Sequence, residues 1–249
     1  MNGWRWGLVL WIGGVMLAGC GETGMRAYDR YQLGPARDTL AAGVEALGGL
    51  SAWRKVDVVR AETIVTVYSA DDRQYVSRQT QWIDSDSGRI EAAGDTAIGR
   101  WRAVCTGPNK FSLSGANVLD QLTPEQLRQI LPIILHRAAG PRNLLGKGEK
   151  PDEVSSVLVD GRELTRVAVH GGEAHAAAYY FDPTSGLLQM VTAGADRPGK
   201  EGTVTLYTYQ ILPDGLVFPK TIQVRRLGRY VLIGSPRMLD VEFSDVRAK

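Results

Sequence analysis

The 249-residue sequence is poor in cysteine, histidine and net charge. Two cysteines (Cys20 and Cys105) and three histidines (His136, His170 and His175) leave little material for a thiol-based metal site or a histidine-driven active site. Lysines and arginines number 29 against 27 acids, a formal charge of +2. A nucleic-acid surface needs a clustered basic excess, so that class is excluded. The chain also lacks a Gly-x-Ser-x-Gly nucleophile elbow and a phosphate-binding loop. Its apolar run near the start covers only about a dozen residues, whereas ~20 are needed to span a bilayer.

That run carries the first positive signal. Met1-Asn2-Gly3-Trp4-Arg5-Trp6 brings one positive charge, Gly7 to Met16 is apolar, and Leu17-Ala18-Gly19-Cys20 follows. A charged start, a short apolar stretch and small residues at its end make a secretory signal peptide. A cysteine straight after Leu-Ala-Gly resembles the bacterial lipobox. The resemblance implies cleavage before Cys20, a diacylated sulfur, an acylated new N-terminus and a mature chain held to a membrane by lipid. Two or more acyl chains hold firmly where one holds marginally, at ~0.8 kcal/mol per buried CH₂. It also implies outer-membrane retention facing the periplasm, because Gly21 rather than aspartate follows the cysteine. Residues 1–19 contain one arginine and no acid, so the mature charge falls from +2 to +1. With Cys20 acylated, Cys105 has no internal disulfide partner and reads as a small buried apolar residue.

Residues 20–36 lack periodicity and read as a tether; 37–249 read as one domain. Leu40, Val44 and Leu47 form an apolar helical stripe over Arg37–Leu47, and Gly48-Gly49 ends it. From Val59 the period is two: Val59, Ala61, Thr63, Val65 and Val67 share one strand face. Arg73–Ile83 continues as strand into the turn Asp84-Ser85-Asp86-Ser87-Gly88, and Gly99–Cys105 alternates again. A second helix starts at Thr123, whose Thr-x-x-Gln spacing to Gln126 is a capping box with Pro124 as first helical residue. Leu127, Ile130, Leu131, Ile134 and Leu135 form its apolar face, and Pro132 should kink it. After a Gly, Pro and Lys-rich loop, Asp160-Gly161 predicts a tight hairpin between Val154–Val159 and Arg162–Val169. Further strands are expected over Ala174–Phe181, Leu187–Thr192, Thr203–Leu212, Leu216–Leu227, Arg229–Ile233 and Met238–Phe243.

The expectation is an α+β fold: a strongly curved antiparallel sheet, an incomplete β-barrel of about nine to ten strands, wrapping one or two helices. Val204 and Leu206 alternate with Tyr207, Tyr209 and Ile211. A sheet wet on one side does not carry apolar residues on both faces.

Ala46-Leu47-Gly48-Gly49-Leu50 with Trp53, then Asp182-Pro183-x-x-Gly186-Leu187-Leu188, then Asp214-Gly215-Leu216-x-Phe218-Pro219, occur in that order. Together they resemble the LolA/LolB-type periplasmic lipoprotein-carrier superfamily over roughly residues 37–247. The resemblance implies a bent sheet around apolar helices, acyl chains between them, and a helical lid over Leu122–Leu135. The partners it implies are lipid or lipoprotein acyl chains, with the membrane reached through Cys20.

Chosen by face and size, the residues expected to line such an interior are Val65, Val67, Trp101, Leu131, Ile134 and Leu206. The competing reading is a packed envelope lipoprotein that docks a protein partner. Neither requires a cofactor, a metal or catalysis. His170-Gly-Gly-Glu173-Ala-His175 reads as a loop. Asp84 and Asp86 lack the closing glutamate and the glycine of a calcium loop. Ser114 has no histidine nearby in sequence, and Lys220–Arg229 reads as a solvated basic face or a contact for anionic headgroups.

Overall fold

The computed structural model describes residues 34–71, 73–97, 99–106, 110–115, 122–138, 144, 149–171, 177–194, 202–227 and 236–249. Helix α1 spans Pro35–Ala46 and a single turn, α2, spans Leu50–Trp53. Strands β1 (Val59–Tyr68), β2 (Gln74–Asp84), β3 (Arg89–Thr96), β4 (Gly99–Thr106) and β5 (Lys110–Gly115) follow. Helix α3 (Pro124–Ala138) separates them from β6 (Glu149–Val159), β7 (Arg162–Gly171), β8 (Ala177–Phe181), β9 (Leu188–Ala193), β10 (Gly202–Ile211), β11 (Val217–Leu227) and β12 (Arg237–Ala248).

All twelve strands form one antiparallel sheet in the order β5-β4-β3-β2-β1-β12-β11-β10-β9-β8-β7-β6. The count corrects the expected nine to ten. The sequence does not mark β3 because, of its inward positions Ile90, Ala92 and Gly94, only Ile90 is large and apolar. β5 is a six-residue edge strand. The sheet is two sequential meanders joined back to back by pairing of β1 with β12, with Val65 opposite Val241. Edges β5 and β6 are not paired to each other, so the barrel is open.

Local chemistry explains the elements. Pro35 stands in the first turn of α1, where its missing N–H costs nothing, so the helix begins two residues before the expected Arg37. Gly48 and Gly49 end it at φ 102° and 80°. The capping box of α3 is formed: Gln126 N–H donates to Thr123 Oγ1 (3.2 Å), and Thr123 N–H donates to Gln126 Oε1 (2.7 Å). α3 runs continuously through Pro132. Asp160 and Gly161 both take positive φ, 51° and 77°, as a type I′ hairpin turn demands. Asp84 accepts N–H bonds from Asp86 and Ser87, so this stretch is a self-capped turn. The expected strand Arg229–Ile233 and most of the His170–His175 stretch lie outside the described residues, as do Cys20 and the tether up to residue 33. No described helix is long and apolar enough to cross a membrane.

The position of α3 shows how the sheet bends. It comes closest to β3 and β4 on one flank and β11 on the other, and approaches β2, β1 and β12 between them less. Strands lie ~4.8 Å apart, so β4 and β11 would be about 24 Å apart in a flat sheet. A helix crossing a flat sheet would meet the middle strands as well. The sheet therefore curls into a trough with α3 bridging its sides. α1 packs on β6 and β7 at the other flank.

Candidate functional site

Register assigns every strand residue to one face. From β2 to β7, the row Tyr75, Val67, Leu239, Val224, Thr205, Val191, Tyr179, Val167 faces inward. These residues, Thr205 and the half-buried Tyr75 apart, belong to the buried members of one continuous apolar cluster, and Tyr75 packs against it. The trough floor also holds Val59, Ala61 and Val65 of β1, Ile90 and Ala92 of β3, and Trp101, Ala103 and Cys105 of β4. Its roof is the buried face of α3: Leu127, Ile130, Leu131, Ile134 and Leu135.

Five of the six expected lining residues therefore meet here. Val65, Leu131 and Ile134 are fully buried, with Trp101 and Val67 nearly so. Trp101 lies across Gly94 of the neighbouring strand, where a Cβ would stand 2.7 Å from the indole Nε1. Leu206 is the correction. It pairs with Met190 and Gln223 and is half-buried on the outer face, one residue out of phase with Thr205 and Tyr207. Apolar residues do occupy both faces of β10, as Val204 is buried on the outer side, but only one face belongs to the trough. Ile211 is 77% exposed at the strand end.

The three motifs behind the family resemblance converge on the end of α1. Trp53 Nε1–H donates to the Leu47 carbonyl (2.7 Å), which also accepts the Val217 N–H (3.2 Å). Gly48 abuts Leu216, and Gly186 abuts Ala42 and Ala46. Trp53 sits 6.4 Å from Phe218, which packs edge-on to Phe243 at 5.2 Å. These contacts lock the end of α1 to β11 and β12, and none of the residues that make them is a chosen lining residue, so their role is architectural.

Among the described residues no Asp, Glu, Lys or Arg is itself buried; the buried polar side chains are Thr63, Gln79, Gln81 and Thr205. Sequence reading placed Thr63 with the apolar face of β1 but missed Gln79 and Gln81, because Tyr75, Ser77, Gln79 and Gln81 look like the wet face of β2. Only Ile83 on the same face signals the opposite. At the C-terminal end of α3, burial drives the His136 imidazole down to about 3, with the Arg137 charge adding to the effect. Burial raises Tyr207, which is offset in part by Arg137 and its hydrogen bond. Tyr207 stacks on Tyr209 at 6.1 Å, and the Tyr209 hydroxyl donates to the Leu188 carbonyl (2.7 Å). Burial likewise pushes the Cys105 thiol up, in keeping with a packing role. No described group of His, Cys, Asp and Glu would hold a metal. Ser114 is exposed, and its hydroxyl donates to the Arg102 carbonyl at 3.5 Å. Arg225 donates to Gln223 along the outer face.

An open curved sheet over an apolar interior defines the class, a sheet-and-helix trough. No family model and no curated protein matches the chain. Similar solved structures include a DUF1329 family protein from Desulfovibrio piger (8% identity, TM-score 0.48, 87% of this chain and 94% of that one). A domain assigned as an outer membrane lipoprotein-sorting protein from Vibrio parahaemolyticus gives 11% identity and TM-score 0.46, covering 86% and 93%. The Mycobacterium tuberculosis lipoprotein LppX gives 10% and 0.30, covering 84% and 95%. At such TM-scores nothing about binding passes from these proteins to this chain.

Proposed function

We propose that this chain is an envelope lipoprotein, tethered through Cys20 to the outer membrane, that binds a lipid or the acyl chains of a lipoprotein without covalent chemistry. The observation that carries the reading is the stance of α3, close to both flanks of the trough and less close to its middle. What lies beneath it is a floor and roof of apolar side chains, including Val65, Trp101, Leu131 and Ile134. Binding there transfers apolar surface from one dry environment to another. A chain of about fifteen methylenes contributes ~12 kcal/mol of burial, enough to compete with a helix that plugs the same space. The anchoring half of the proposal rests on Leu17-Ala18-Gly19-Cys20, and the choice of outer membrane on Gly21.

The full burial of Leu127, Leu131 and Ile134 favours a second reading, a packed envelope scaffold that docks a protein partner. One experiment separates the two. Bacteria expressing the full chain are fed a diazirine fatty acid, irradiated, and the purified protein is mapped by mass spectrometry. Acyl adducts on peptides of β1, β4 and α3 are expected. Adducts absent from those peptides while present on membrane controls would overturn the trough reading and leave the scaffold. An unmodified Cys20 would overturn the anchor.

A further inference from the structure

Three of the four buried polar side chains stand together on β1 and β2. Thr63 Oγ1 donates to the Gln79 backbone carbonyl (3.1 Å). Gln81 Nε2 donates to Gln79 Oε1 (3.0 Å), and Gln79 Nε2 donates to Ser77 Oγ (3.1 Å). Donation thus runs from Gln81 through Gln79 to Ser77 and leaves Gln81 Oε1 with no hydrogen-bond partner among the described residues. Gln81 is 0% exposed. Its inward-facing neighbours are Ala61 on β1 and Ala92 on β3, with Ala103 beyond on β4. All three alanines are fully buried. Side chains that end at Cβ make the floor lowest around Gln81, beside the two strands that α3 approaches on that flank.

A buried amide oxygen left without a donor destabilises a fold, whereas an apolar residue of the same size would not. The free atom is an acceptor, and the buried set around it contains no carboxylate that would favour a cation. What fits is an N–H or O–H carried on an otherwise apolar molecule. We infer that Gln81 Oε1 receives the donor at the head of the bound acyl chain, so that the trough selects an N-acyl amide over an O-acyl ester. This deepens the lipid-binding reading and rests on it.

The test uses the full chain in nanodiscs and two photo-crosslinking probes of equal acyl length, one a fatty amide and one a fatty methyl ester. Half-maximal crosslinking of the wild type is expected at a concentration about five- to tenfold lower for the amide, the yield of one hydrogen bond. In Gln81→Leu the two probes should converge on the ester value while ester capture persists, which shows the trough intact. Gln81→Glu, which keeps the acceptor, should retain the preference. Equal capture of both probes by the wild type, or stronger capture of the ester, overturns the inference and leaves lipid binding standing; a buried water on Gln81 would give that result. Capture of neither probe overturns the lipid-binding reading itself.

Discussion

Gly43 sits inside α1, where glycine is disfavoured, and replacing it with alanine should nevertheless weaken the protein. Helix propensity alone favours Gly43→Ala by about 1 kcal/mol. The new Cβ would stand 2.6 Å from Phe181 Cε1, 3.2 Å from its Cδ1 and 3.3 Å from Leu144 Cδ1. Phe181 is 1% exposed, so its rigid ring has no solvent to move into. Overpacking of this kind costs about 1–3 kcal/mol, which leaves a net loss of roughly 1 kcal/mol. For a domain of this size that lowers the melting temperature by about 2–4 °C. Urea unfolding followed by tryptophan fluorescence measures it. The same substitution placed on a Phe181→Leu background should become neutral or stabilising, because the obstructing ring atoms are gone and the two sites are coupled. A Gly43→Ala protein that is more stable than the parent, with no coupling to Phe181→Leu, would refute the close packing of α1 on β8.

Thr123→Ala removes one half of the α3 capping box and should cost about 1 kcal/mol, read as a shift in the urea midpoint. His136 holds its folded-state pKa at about 3 against an ordinary 6.5, so the unfolded chain takes up a proton that the folded one refuses. Its contribution is therefore intact above about pH 6.5 and lost as pH falls towards 3; between pH 6.5 and 5 the decline should flatten in His136→Gln, and an unchanged slope would rule out this burial. Ile134→Ala, in the fully buried roof, should cost about 2–5 kcal/mol and diminish acyl crosslinking, whereas Leu206→Ala, on the outer face, should cost less and leave crosslinking unchanged.

Local chemistry was legible in the amino-acid order. The Thr123/Gln126 box, the Asp160-Gly161 turn, the Gly48-Gly49 stop and the inward phase of Val59 to Val67 each depend on residues within a few positions of one another. β3 and β5 were not legible: β3 offers Ile90 as its one large apolar residue beside alanines and a glycine, and the Phe111/Leu113 alternation of β5 covers only six residues. Nor was the phase of β2 and β10: Gln79 and Gln81 face inward and Leu206 outward because of the partners each strand pairs with.

By itself the sequence determined the helices, most hairpins and an apolar interior, because caps, turns and periodicity are properties of neighbouring residues. Tertiary structure decided that β1 pairs with β12 across the whole chain, that β5 and β6 stay apart, and that α3 spans the trough so formed. Those outcomes depend on contacts between segments distant in the chain, as far as Val59 and Ala248, whose free energy is set by shape and register and leaves no mark on either segment alone.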